Sequence, residues 1–227
     1  MKFISVIPAR SGSKGLKNKN VYQLNKKPLI KYTFEQVKKS KLKNNFVLTN
    51  SNLIKKIAHK YKINNQYKRP ASVSKSTSSL MDTILHFFNW TKKKRIFFDY
   101  MIVLQPTSPL RSYKDINKSI EIIKKKRCKS LFSISESLEH PYEVIDVKGK
   151  KWKHVLSKSK NFYRRQDFDI KSYFINGSIY IIHRDLILKK KTFDKKNNAF
   201  LYMPKSRSLE INDIEDIKII EPILKKI

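Results

Sequence analysis

The chain has 227 residues, 40% of them hydrophobic, which is enough to bury one sizeable core and lies where single α/β domains are common. A formal charge of +33 would ordinarily point to nucleic acid, but the lysines are spread through almost every segment instead of forming one stripe, so they read as solvated faces and nucleic-acid binding becomes a distant alternative. No apolar run reaches the roughly 18 to 20 residues of a membrane span, no targeting segment is visible, and the lone Cys128, between Arg127 and Lys129, reads as a cytosolic thiol without an internal disulfide.

In chain order, residues 2–8 (KFISVIP) read as a strand that runs into a basic, Gly-containing loop at 9–20. Residues 28–40 show helical apolar spacing at Leu29, Ile30, Phe34 and Val37. A second strand is expected at 46–49, a helix at 51–61, a longer helix at 79–95 and a buried strand at 100–104 (YMIVL). Residues 113–126 are again helical and 131–134 again strand-like. This alternation predicts an α/β fold with a mostly parallel central sheet flanked by helices and with ligands at the carboxyl ends of its strands. From about 140 to 174 the rhythm changes to short strand-like pieces, an expected small excursion within a single domain spanning 1–227, and 177–182 (GSIYII) then resumes the core. Residues 213–224 place Ile214, Ile217, Ile220, Ile223 and Leu224 at helical spacing behind a cap at Asp213.

The loop IPARSGSKGLKNKN puts Gly12 and Gly15 where a backbone turns tightly and brings N–H groups against an anion, and Arg10, Lys14, Lys17 and Lys19 add charge. Its glycine spacing fits neither the G-x-x-x-x-G-K-[ST] loop nor G-x-G-x-x-G. The arginines at 10, 69, 111, 164 and 165 all fall in motif-like segments, where a planar fork suits phosphate or carboxylate. For Arg69 a surface ion pair and for Gln105 a buried strand-end amide remain structural alternatives. The five histidines lack ligand spacing and no carboxylate or cysteine cluster accompanies them, so zinc is not expected; His86 reads as a helix-packing residue.

These residues resemble a known family. The 7–20 loop is similar to the N-terminal signature of the acylneuraminate cytidylyltransferases, which include CMP-sialic, legionaminic and pseudaminic acid synthetases. Arg69-Pro70 followed by Ser78-Ser79, the segment QPTSPLR (105–111), His140-Pro141, Arg164-Arg165-Gln166-Asp167, Asn176 to Tyr180 (NGSIY) and SLEINDIED (208–216) follow in the family's order. The resemblance implies a Rossmann-like nucleotidyltransferase with a small dimerisation excursion, working as a homodimer in the cytoplasm on CTP and a nonulosonic acid with Mg²⁺. It implies catalytic roles for Arg10 and Lys19 on triphosphate oxygens, and a nucleotide seat made by Ser13, Asn20, Arg69, Ser78 and Ser79. Gln105, Arg165 and Tyr180 would bind the sugar acid, with Arg165 clamping its carboxylate.

At the implied metal site the chain departs from the family. Two Asp residues separated by one position are replaced by Glu210 and Asn212. On a strand both would share one face, but Asn brings no charge, so the cation would lean on phosphate and water. Asp216 reads as part of a helix cap and not as a ligand. Three alternatives stay open: a synthetase for the eight-carbon acid Kdo, a catalytically weak homologue, and a basic nucleic-acid-binding protein.

Overall fold

The computed structural model describes residues 1–12, 15–156, 168, 170–189 and 194–226. Its centre is a six-stranded sheet. In chain order the strands are β1 (Phe3–Pro8), a two-residue pair β2 (Gln23–Leu24) and β3 (Lys27–Pro28), β4 (Asn44–Leu48), β5 (Tyr100–Val103), β6 (Ser130–Glu136), a hairpin β7 (Ile145–Lys148) and β8 (Lys151–His154), β9 (Tyr173–His183) and β10 (Asn198–Tyr202). The main sheet is ordered β10-β6-β9-β5-β1-β4. β1 pairs in parallel with both β4 and β5, and β10 in parallel with β6, whereas β9 lies antiparallel between β5 and β6. The mostly parallel sheet expected from sequence is present, with one reversed strand at its middle.

The helices α1 (Leu29–Lys39), α2 (Asn52–Lys60), α3 (Leu80–Lys93), α4 (Tyr113–Lys126), α5 (Arg184–Leu188) and α6 (Ile214–Leu224) cover the sheet. Alternation along the strands divides the core. Ile7, Val47, Ile102, Ile179 and Ile181 pack with Phe34 of α1, Ile57 of α2 and Ile120 of α4 on one face. Val6, Phe46, Met101, Val103 and Ile182 meet Phe87 of α3 and Ile187 of α5 on the other. A third cluster joins Leu24, Leu29, Leu110, Ile211, Ile217 and Ile220, which docks α6 beside the loop after β5.

Local chemistry starts the long helices cleanly. Ser79 with Asp82, Ser112 with Asp115 and Asp213 with Asp216 each form a reciprocal capping box, satisfying N–H groups that have no partner inside the helix. Arg127, with φ of 51°, ends α4, and Cys128 follows it as a buried free thiol whose pKa burial pushes up. Within the expected excursion, β7 and β8 pair only with each other among the described residues. β9 begins at Tyr173, so the last two positions assigned to the excursion already belong to the main sheet. No helix among the described residues is long and apolar enough to cross a membrane.

Candidate active site

Parallel strands deliver their following loops to one edge of the sheet, and the motif residues gather there. The loop after β1 is tied down at once, because Ala9 N–H donates to Leu48 O at 3.0 Å and Ser11 N–H to Asn50 Oδ1 at 2.9 Å. Arg10 donates from Nη1 to Gly12 O at 2.6 Å, and its own carbonyl accepts from Asn20 Nδ2 at 3.0 Å. Gly15 lies against the far segment so closely that a Cβ would stand 2.6 Å from Asn212 O; only glycine permits that approach. Lys19 Nζ donates to Ile211 O at 3.0 Å, a second link to the same segment. Burial lowers the pKa of Lys19; Glu210, Asp216 and Asp213 act in the opposite sense, and Arg10 lowers it further.

Arg69 is only 7% exposed and, with no ion pair among the described residues, donates from Nε and Nη2 to Val73 O at 3.0 and 2.5 Å. Burial lowers its pKa, Tyr67 opposes that, and Arg10 reinforces it. Ser78 Oγ donates to Ser72 O at 3.3 Å. Ser79 Oγ accepts from Asp82 N–H at 3.0 Å, so its hydroxyl caps α3.

The opposite side is cross-linked. Gln105, just beyond β5, donates from Nε2 to Gly177 O at 3.1 Å. Gly177 has φ of 68°, and a Cβ there would come within 3.2 Å of both Gln105 Nε2 and Glu210 Oε2. Thr107 Oγ1 donates to Glu210 Oε1 at 2.6 Å, and Ile211 N–H donates to Thr107 O at 2.8 Å. Tyr180 sits on β9 opposite Val103 and Phe132, its pKa raised by burial and further by Glu210. Residues 208–212 are not a ladder strand, as the sequence spacing suggested; their backbone leans on Thr107 and then turns into the cap of α6. The alternation nevertheless survives, since Ile211 is 1% exposed in the third core cluster while Glu210 is half-buried and Asn212 exposed outside it. Asp216 accepts from the N–H groups of Asn212 and Asp213 at 2.6 and 3.2 Å, which is the capping role expected of it.

Between these two sides lies a cleft of about 260 Å³ lined by Arg10, Lys19, Asn20, Arg69, Ser78, Ser79, Gln105 and Thr107, together with Pro8, Leu80, Thr83 and Pro106. Nine of those positions are polar or charged, which suits an anionic, hydroxyl-rich ligand better than an apolar one. Tyr180, Glu210 and Asn212 are not in its lining; Glu210 reaches it through Thr107. Ser13 and Arg165, with Arg164, Gln166 and Asp167, lie outside the described residues. Thr107 and Arg111 both stand in QPTSPLR, yet nothing in their residue types alone assigns either a task, and Asn50 has no signal beyond its place after a strand. No group of three or more His, Cys, Asp or Glu side chains able to hold a metal occurs among the described residues.

A basic, polar cleft at the carboxyl ends of parallel strands, reached by a Gly-containing loop, marks the Rossmann-like nucleotidyltransferase class. The chain belongs to the cytidylyltransferase family, whose profile matches residues 4–221, and it is a nucleotidyltransferase enzyme. It is 35% identical to post-translational flagellin modification protein B of Campylobacter coli over 99% of this chain and 96% of that one. It is 33% identical to CMP-N,N'-diacetyllegionaminic acid synthase of Legionella pneumophila, covering 98% and 93%. With N-acylneuraminate cytidylyltransferase of Streptococcus agalactiae the identity is 31% over 95% of this chain, which spans only 52% of that longer protein. In fold it resembles the solved CMP:2-keto-3-deoxy-manno-octonic acid synthetase complexed with CTP, with a TM-score of 0.72 at 13% identity and coverage of 100% and 99%.

Proposed function

We propose that the enzyme transfers CMP from CTP to the anomeric hydroxyl of a nonulosonic acid and releases pyrophosphate. The observation that carries this reading is the cleft itself, with Arg10, Lys19 and Arg69 facing Gln105 and Thr107 across it. The relatives named for neuraminate and legionaminate, at 31% and 33% identity, favour a nine-carbon acceptor over the eight-carbon alternative.

In the reaction the acceptor hydroxyl gives its proton to water as its oxygen bonds to the α-phosphorus, and the bond from that phosphorus to the oxygen bridging the β-phosphate breaks, so charge grows on the leaving pyrophosphate. Arg10 and Lys19 supply positive charge there, and both now rest on backbone carbonyls that a phosphate oxygen can replace. Asn20, Arg69 and Ser78 seat the nucleotide, with Ser13 in the same loop and Ser79 fixing the first turn of α3 beneath it. Gln105, Tyr180 and Arg165 take the acceptor, with Arg165 on its carboxylate.

Mg²⁺ fits the donors present. Thr107 holds one oxygen of Glu210 and leaves Oε2 for a cation, while Asn212 offers a neutral amide one residue beyond Ile211. A single protein carboxylate suffices for a cation that fills its shell with phosphate and water. Bound there, the cation would offset charge on the phosphates.

A homodimer is part of the same proposal, supported by exposed Val144, Ile145, Val147 and Trp152 around the β7–β8 hairpin. A cytoplasmic location belongs to the same proposal, supported by the need for CTP. The deciding measurement is pyrophosphate release with CTP, UTP, ATP or GTP against neuraminate, legionaminate, pseudaminate and Kdo. Turnover is expected with CTP and a nine-carbon acid; equal rates with UTP, or turnover with Kdo alone, would reject the reading.

A further inference from the structure

Arg111 is 2% exposed and among the largest fully buried side chains of the protein, yet no carboxylate touches it among the described residues. Its Nη1 donates to Gln105 O at 3.1 Å and to Ser178 O at 2.7 Å, and its Nη2 donates to Thr33 Oγ1 at 2.8 Å. Burial pushes its pKa down to about 9, with Asp115 opposing, so the group is still a cation at neutral pH. Asp115 itself is paired with Arg207. Burying a cation against neutral acceptors is costly, because no opposite charge in contact with it offsets the lost hydration. The arrangement therefore needs a reason other than stability.

Its acceptors identify that reason. Gln105 O belongs to the residue whose amide reaches into the cleft, and Ser178 O adjoins Gly177, which that amide touches and against which Glu210 Oε2 packs. Thr33 anchors the third point on α1. The loop after β5 and the reversed strand β9 lie side by side here, and the rigid planar fork holds both carbonyls through Nη1 while Nη2 fixes it to Thr33, a set geometry that a freely rotating ammonium does not impose.

The geometry points to Arg111 as a positioning residue: it clamps the backbones of Gln105 and Ser178 so that the Gln105 amide, Gly177 and Glu210 converge at the acceptor side of the cleft. This rests on the proposed acceptor role of Gln105, but the clamp is testable without it. In Arg111→Met, hydrogen exchange should quicken in peptides covering 104–112 and 175–180 while the rest of the sheet stays close to wild type. Exchange that quickens across the whole sheet, or nowhere, overturns the clamp whatever the acceptor is.

Kinetics give the second arm once wild type turns over an acceptor. Arg111→Met should raise the acceptor KM by about 5- to 30-fold, no more than loss of Gln105 itself, leave the KM for CTP within about twofold, and lose little more when combined with Gln105→Ala. Arg111→Lys should recover only part of the loss, and if it does not fold, the Met variant decides. Additive effects, or an equal rise in the KM for CTP, would show that Arg111 does not act through Gln105. Wild type without any acceptor turnover would reject the role of Gln105 and leave the exchange result to judge the clamp.

Discussion

The two sides of the cleft are built on opposite plans. On the side of β1 and α3, Arg10, Lys19 and Arg69 carry the charge, and each is held by a single backbone carbonyl or two of them: Ser11 and Gly12 for Arg10, Ile211 for Lys19 and Val73 for Arg69. On the side of β5 and β9, Gln105 holds Gly177, Thr107 holds Glu210, and Arg111 holds the backbone of both Gln105 and Ser178. The charged side can exchange its carbonyls for phosphate oxygens with little rearrangement, whereas the other side is fixed before any ligand arrives. Electrostatic work on a flexible triphosphate tolerates such regripping; selecting one acceptor geometry requires preorganisation.

The largest effect that distinguishes the two plans should come from Lys19→Ala. Loss of a cation aimed at developing phosphate charge should lower kcat/KM by about 10²- to 10³-fold. Because burial lowers the pKa of Lys19, its charge should vanish below the ordinary lysine range as pH rises, giving kcat/KM an early alkaline fall. Lys19→Arg keeps the charge at every accessible pH and should move that fall upward. A pH–rate profile identical in the Arg variant would show that the titrating group is another one.

Next in size come the substitutions at the metal donors. Glu210→Ala should abolish Mg²⁺-dependent turnover, and Asn212→Asp should lower half-saturating Mg²⁺ by about tenfold by adding a second carboxylate. Direct Mn²⁺ binding in the presence of CTP gives the same comparison without turnover. Unchanged Mg²⁺ dependence in Asn212→Asp together with a harmless Glu210→Ala would remove this segment from the metal site. On the preorganised side, Gln105→Ala should cost about 1 to 2 kcal/mol in kcat/KM for the acceptor, read mainly as a rise in its KM. A matching rise in the KM for CTP would place Gln105 on the nucleotide instead.

Sequence legibility divides along the same line. The β1 loop and the five longer helices were readable because glycine, cationic and capping residues act locally: Ser79 and Asp213 stand one position before α3 and α6, whereas the five-residue α5 is too short to show a period. The preorganised side was readable only as motif letters. That β9 runs antiparallel leaves no trace in an apolar pattern, and β10, a half-exposed run of five residues at the sheet edge, has too weak a period to stand out. An arginine in a sequence reads as surface, so the burial of Arg111 depends on three acceptors from α1, the loop after β5 and β9 that only the fold brings together. Glu210 and Asn212 kept their alternation without the strand assumed for them, because Ile211 is anchored in the core while its N–H finds Thr107.

The smallest predicted effect tests whether a residue can line the cleft and still belong to the scaffold. Ser79 faces the cleft, but its hydroxyl accepts from Asp82 N–H at 3.0 Å and the Asp82 carboxylate accepts in return from Ser79 N–H at 3.0 Å. Ser79→Ala should therefore cost about 1 kcal/mol of stability, the usual loss for an N-cap serine, and leave the KM for CTP nearly unchanged. Among the described residues the Ser78 hydroxyl makes one long bond, 3.3 Å to Ser72 O, so it is easily turned to a ligand. Ser78→Ala should spare stability and raise the KM for CTP by about five- to tenfold, the worth of one hydrogen bond. Thermal unfolding and CTP titration of the two variants read the difference directly. If Ser79→Ala raises the KM for CTP while its melting temperature holds, the hydroxyl serves the nucleotide, and the division between cap and ligand fails at this turn.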